Sequence, residues 1–435
     1  MTAGPARSAR LRVRARIGSL FGASRRPGGK ARGGSIPAVF DRRGTPPDGM
    51  DRRPKWEPIL ARALSRRDAM RLLGAGAAGA GLGLTAGCGP ELVSEPAPAP
   101  TRAAVTFPDG AIVRTVLGDV DPAALGTGAT LFHEHLAFNF SSPPPEPRAP
   151  DTPPPPRPTD EEMVDLLVEE LRMAAFDGVS CIVDSSIGPR TEQQLANLTA
   201  MATRSGVHIV LGGSYFLQPR YPEEIIQLPE EEVAAHLVAQ AGRERWGALG
   251  EVGSSFPEMH DDERKMIRAI SQVHARTGLP IFTHVPHESC PSCALDQIDS
   301  YEAQGVDMAH LCIGHLSTIK RSDDPGWETH KEIARRGAFL GFDTVGHQMS
   351  ASFIPEREKV DMVLNALEAG LEDHILLSSD FANTTQIKAN WGNGFSTVLV
   401  QFVPKLRYFG VPEETIQKIL VDNSRRWLAY QPTSA

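Results

Sequence analysis

The chain reads as an α/β protein, a (β/α)8 TIM barrel behind a disordered N-terminal targeting region. Three observations predict this. From about residue 128 onward, eight short apolar runs alternate with amphipathic segments. The runs are nearly continuous in their apolarity, which suits parallel strands covered on both faces. Residues of metal-ligand type also gather at the C-terminal ends of the runs, the end of a barrel where active sites lie. A doubly wound open sheet is the alternative that the same alternation allows.

In order, the runs are ATLFHEHL, VSCIVDSS, VHIVLGGSY, WGALGEVG, LPIFTHV, HLCIGHL, AFLGFDT and DHILLSSD. The segments between them carry helical periodicity. In ERKMIRAISQVHARTG, Met266, Ile270 and Val273 fall on one face at i, i+4 and i+7. Gly278-Leu279-Pro280 then stops the helix just ahead of the next run. The barrel is expected over residues 110–430. A Pro-rich stretch, Ser141–Glu162, falls inside it and reads as a long exposed loop.

Charge divides the chain. Residues 1–72 hold 18 Lys/Arg against 5 Asp/Glu, and the remainder holds 27 against 48. A basic head on an acidic body is a targeting pattern, and it argues against nucleic acid as a partner of the body. Residues 1–49 are Arg/Gly/Pro-rich without an apolar period and read as disordered. Arg66 and Arg67 in SRRDAMRLL precede GAGAAGAGLGLTAGC, which is too short and Gly-rich for a membrane span. The segment resembles a twin-arginine signal. LTAGC resembles a lipobox, although Thr85 stands where the commonest form has Leu, and it predicts lipidation at Cys88. The expectation is an exported lipoprotein, periplasmic or at the cell surface, touching membrane only through that anchor. Residues 1–88 are thus leader and signal, and 89–109 a Pro/Ala linker. Cys290-Pro-Ser-Cys293 reads as a local disulfide formed after export or as two thiols in a surface loop. Cys181 and Cys312 lie in apolar runs and read as core.

The ends of the runs carry the chemistry. His133-Glu134-His135 closes the first run, Glu251 the fourth, His284 the fifth, His315 the sixth and Asp380 the eighth. Residues i and i+2 of a strand share a face, so His133 and His135 point inward and Glu134 outward. Imidazole and carboxylate suit zinc and similar divalent ions. Six such groups exceed the needs of one tetrahedral ion, so two divalent ions, with zinc as the metal, are predicted to share a hydroxide. Glu251 sits among small and apolar residues, where a carboxylate is costly unless paired, and the two ions would be its partners. His208, His236, His260, His274, His310, His330 and His374 fall at helix or strand starts and read as non-ligands. His287 and His347 lie near the mouth as pocket residues.

TLFHEHL, GVSCIVDSSIGPR, GLPIFTHV, CIGHLS, GAFLGFDTVGH, SSD and DNSRRWL follow one another over about residues 110–430. This series resembles the phosphotriesterase family of the amidohydrolase superfamily. The resemblance implies a binuclear site in which His133, His135 and Asp380 hold the more buried ion and His284 and His315 the more exposed one. Glu251 stands where the best-known members carry a carboxylated lysine, and it resembles a glutamate-bridged subset. Asp380 is implied as the catalytic group that takes the proton from the hydroxide. Thr318 and Thr344 occupy the positions of a proton relay, which counts against efficient phosphotriester turnover. Tyr215, Asp343 and His347 are expected on the substrate side, with packing as the alternative for Tyr215 and a structural carboxylate at the strand end for Asp343; Trp391 and Phe395 read either as pocket walls or as loop packing. The expected activity is hydrolysis of an ester-type bond in a small molecule, a lactone or carboxylic ester, with phosphotriesters as a promiscuous class. A tethered metal-containing binding protein without turnover and a single-metal amidase or deaminase are the alternatives. Related proteins often form a homodimer.

Overall fold

Each apolar run forms one strand of a single parallel sheet in the computed structural model, which describes residues 105–136, 159–347, 354–383 and 386–433. A short antiparallel hairpin precedes the sheet: β1 (Val113–Thr115) and β2 (Gly118–Val120). The sheet follows as β3 (Ala129–Glu134), β4 (Val179–Asp184), β5 (His208–Gly213), β6 (Trp246–Gly253), β7 (Ile281–His284), β8 (Leu311–Ile313), β9 (Phe339–Phe342) and β10 (Ile375–Leu377). Each strand pairs in parallel with the next. The ring closes just past β10, where Glu134 bridges Phe381 in parallel. There the His135 N–H donates to the Phe381 carbonyl at 2.8 Å, and the Asp380 N–H donates to the His133 carbonyl at 3.1 Å. This is a TIM barrel, as predicted.

Alternation along the strands builds two apolar layers. Phe132, Val183, Val210, Phe282 and Leu376 fill the inside of the barrel. Trp427, on the short C-terminal helix Ser424–Leu428, joins them and donates from Nε1 to the Ile281 carbonyl at 3.2 Å. Leu131, Ile182, Ile209 and Ile281 face outward and pack under helices such as Asp160–Phe176 and Asp261–Thr277. Met266, Ile270 and Val273 lie on the buried face of the latter helix, and Gly278 caps it at φ 75°. That is the helix and the stop read from the sequence. The end of the Pro-rich stretch differs. The helix begins at Asp160, because Thr159 and Glu162 form a reciprocal capping box that ends the loop there.

The twin-arginine segment, the lipobox at Cys88, most of the linker and residues 137–158 lie outside the described residues. Among the described residues, no helix is long and apolar enough to cross a membrane.

One close approach sets a testable limit on packing. A Cβ at Gly213 would sit 1.9 Å from a Trp246 ring atom. That indole is fully buried and donates to Glu244 Oε2 at 2.9 Å, so it cannot swing aside. Gly213→Ala is expected to destabilise at or beyond the top of the ~1–3 kcal/mol overpacking range. A fall in the chemical-denaturation midpoint at unchanged slope checks this.

Candidate metal centre

Every predicted ligand arrives at the C-terminal mouth of the barrel, but not all arrive on a strand. His133, Glu251 and His284 belong to β3, β6 and β7, and His135 follows β3 directly. His315 and Asp380 lie past the ends of β8 and β10, at φ 56° and 45°. Left-handed backbone is uncommon for residues with a side chain and recurs at functional sites. At both positions the turn aims the side chain back over the barrel axis. Gly250 lets Glu251 sit where it does: its φ is 148°, and a Cβ there would meet the Phe282 carbonyl oxygen at 2.4 Å. The space beside Glu251 is thus taken by neighbouring backbone.

Glu251 is the hub. Oε1 lies 2.6 Å from His284 Nδ1 and 3.1 Å from His315 Nε2, and Oε2 lies 3.6 Å from His133 Nε2. Asp380 Oδ1 lies 3.1 Å from His135 Nε2 and 3.7 Å from His133 Nε2. Burial pushes the Glu251 carboxyl up, but the positive charge of His133 and His284 outweighs it and holds the group well below the carboxylate range. Asp380 is likewise held low, by its hydrogen bond to His135 and by His133, against its burial.

Asp343 lies behind two of the histidines, the structural alternative that its place at the end of a run allowed. Its oxygens are fully buried, accepting from His133 Nδ1 at 2.9 Å, from His315 Nδ1 at 2.9 Å and from the His315 backbone N–H. One carboxylate therefore fixes the tautomer of two imidazoles and turns both Nε2 atoms to the mouth, the orienting role that carboxylates play behind metal-bound histidine. Lys359, a buried lysine, donates to the carbonyls of Thr344 and His347 and pins the turn after Asp343.

Do these residues fit a cation? His133 Nε2 answers directly. It is buried, makes no hydrogen bond, and faces two carboxylate oxygens just beyond hydrogen-bond range. With Nδ1–H committed to Asp343, a neutral His133 presents a lone pair to two anions, which a bound cation, or failing that a proton on Nε2, relieves. His133, His135 and Glu251 each place a ligand atom within 4.8 Å of the others, and so do His284, His287 and His315. The nitrogen and oxygen donors match a zinc-type site.

In the metal-free protein, protons take the place of that charge. Burial lowers both His133 and His315, but Glu251 and Asp343 outweigh it, and His315 is raised to about 10. His315 is then protonated at neutral pH, His133 is driven the same way, and a metal must displace such protons. Because the pKa values are raised, higher pH strips the protons and favours the ion. Metal loading is expected to release protons and to tighten by up to about tenfold per pH unit per displaced proton between pH 6 and 9. Calorimetry in buffers of different ionisation enthalpy measures the release.

The other expected site residues divide. Tyr215 is buried with its hydroxyl 3.4 Å from His236 Nε2 and its ring beside Tyr221, turned toward the helices. The next residue, Phe216, meets the outer histidines, its ring 4.6 Å from that of His284. Both residues follow the end of β5 at Gly213, where strand alternation no longer sets which one turns to the ligands. His347 accepts from Gln386 Nε2 at 3.1 Å. Trp391 is 98% exposed, and Phe395 is buried against Phe381, which is the loop packing the sequence also allowed for Phe395. Glu134 points away from the ligands as expected, yet it is fully buried. It accepts from Ser378, Ser379 and the Phe381 N–H, tying β3 to the stretch that carries Asp380. Burial raises its carboxyl to about 7. His274, His330 and His374 bond backbone carbonyls elsewhere. Cys290 and Cys293 form a disulfide, and Cys181 and Cys312 are free and buried.

Comparison with known proteins identifies the family of the barrel. The sequence profile of the Phosphotriesterase family matches residues 111–428. N-acetyltaurine hydrolase of Danio rerio is 26% identical over 363 residues, covering 73% of this chain and 98% of the relative. The Homo sapiens N-acetyltaurine hydrolase is 26% identical over 354 residues with the same coverage. Among solved structures, a resiniferatoxin-binding protein from Rhodobacter sphaeroides superposes with a TM-score of 0.62 at 28% identity, over 73% of this chain and 94% of that one. The phosphotriesterase homology protein of Escherichia coli, complexed with phosphate in its active site, gives 0.59 at 24% identity, over 71% and 100%. With most of the barrel matched by the family profile, the chain belongs to the phosphotriesterase family.

Proposed function

We propose that the chain is a binuclear metal-dependent acyl hydrolase, cleaving an amide or carboxylic ester of a small molecule at its carbonyl carbon. The observation that carries this reading is the buried His133 Nε2 set between Glu251 and Asp380. His133, His135 and Asp380 would hold one ion, His284 and His315 the other, and Glu251 would lie between them. When bound, the ions supply Lewis acidity toward the carbonyl oxygen and toward water.

The chain's own residues do the rest. Asp380 is ionised, and its carboxylate takes the proton of the attacking water and returns it to the departing nitrogen or oxygen. Asp343 keeps His133 and His315 in the required tautomer. Phe216 covers the His284 side with an apolar wall.

Carbonyl chemistry is favoured over phosphotriesters by the relay positions. Thr318 Oγ1 is committed to the His315 carbonyl at 2.7 Å, and Thr344 Oγ1 pairs with Ser317 Oγ at 2.8 Å. Neither hydroxyl is placed to carry a proton outward from Asp380. The curated relatives, named for hydrolysis of an N-acyl amine, support amides beside the esters and lactones expected from the sequence. A panel of N-acyl amino acids, N-acyl aminosulfonates, lactones, aryl esters and phosphotriesters, run with and without chelator, tests the reading. Chelator-sensitive turnover of the acyl compounds is expected. No turnover of any of them by metal-replete protein would overturn it in favour of binding without catalysis.

A further inference from the structure

His287 has no role in the account above, yet it faces the outer half of the site. Its ring centroid lies 4.4 Å from that of His315 and 5.2 Å from that of His284. The three side chains each bring a ligand nitrogen within 4.8 Å of the others. This set is built differently from the inner one. His133 and His135 lean on two carboxylates, Glu251 and Asp380. Around His284, His287 and His315, Glu251 faces two of the imidazoles and Asp343 is occupied at the far nitrogen of His315, so without His287 the outer position would have two imidazoles and one shared oxygen donor.

The segment carrying His287 is also held in place. It runs only from His284 at the end of β7 to the helix Pro291–Ala303. Ser289 donates to Asp323 Oδ2 at 2.5 Å and accepts from the Lys320 N–H at 2.8 Å. The Cys290–Cys293 disulfide closes the segment where the helix starts. Ligands fixed this way lose little freedom when an ion binds.

We propose that His287 is a metal ligand, completing a three-histidine set with His284 and His315 at the outer ion, with Glu251 as the shared fourth donor. Three imidazoles with one further position are a recurrent zinc environment. The outer ion would then be held by this chain as firmly as the inner one. The assignment rests on the reading of the mouth as a metal centre.

The test uses the full chain, wild type and the variants His287→Ala and His287→Asn, loaded with zinc and separately with cobalt(II). Metal per chain is measured after dialysis against graded chelator, and the cobalt ligand-field spectrum is recorded. The wild type is expected to retain about two equivalents, as a two-metal site requires. Both variants are expected to lose one of them at least about 100-fold more readily, exceeding the ~10–100-fold effect of removing an outer-shell partner. Their cobalt spectra should lose the contribution of one ion. If both folded variants keep two equivalents with an unchanged spectrum, the ligand assignment falls while the metal centre stands. If the wild type itself takes up no metal, both fall. His287→Asn guards against misfolding, since it keeps a polar side chain of similar reach, and melting of the metal-free forms reports whether each variant is folded.

Discussion

Asp380→Asn will cut hydrolytic turnover by about 10²–10⁴-fold, the range supplied by a positioned proton acceptor. The asparagine fills the same volume and can still approach His135 and His133, so the barrel and the outer ligands His284, His315 and Glu251 remain. What is lost is the charge. The aspartate stays ionised despite its burial because His135 and His133 hold it so, and it is the carboxylate nearest the mouth that can both take and return a proton. The loss should appear in kcat more than in KM, since the group acts on the reacting water and the leaving atom. Steady-state kinetics with metal content measured on the same sample decides the point. Near-wild-type kcat in Asp380→Asn with metal retained would remove Asp380 from the base role.

Glu251→Gln will have the larger effect on the ions. The three imidazole nitrogens nearest the carboxylate lie 2.6, 3.1 and 3.6 Å away, on His284, His315 and His133. Glutamine preserves the shape and one acceptor oxygen but cannot balance positive charge, and its amide would point a donor at the same nitrogens. Metal affinity is expected to fall at least about 100-fold, more than the ~10–100-fold of an outer-shell loss. Turnover should drop to that of the chelated wild type. Metal analysis after gel filtration, with thermal melting of metal-free protein as the folding control, reads this directly. Full retention of metal would remove Glu251 from the bridge.

Much of this was legible in the sequence. The eight apolar runs became eight strands because a sheet covered on both faces leaves no polar positions to interrupt them. The convergence of His133, His135, Glu251, His284, His315 and Asp380 was legible because a buried carboxylate such as Glu251 demands a partner and the histidines stand at the same strand ends. Three things were hidden. The role of Asp343 was open because its position at the end of a run is the same whether it faces the mouth or braces His133 and His315 from behind. Phe216 and Tyr215 are neighbours of the same type, and only the turn after β5 decides which one meets His284. Alternation places Glu134 outward but does not say what it meets there. It is buried because the closing contact of the barrel lies across it, an event set by residues far along the chain.

That closing contact has a consequence for how the protein is made. The bonds from Glu134 to Ser378 and Phe381 span 244 to 247 positions. His133 and His135 leave the ribosome long before Asp380 does, so no nascent chain ending short of Phe381 can assemble the inner ligand set. An ion that needs the whole inner set could therefore be taken up only after translation has passed that point.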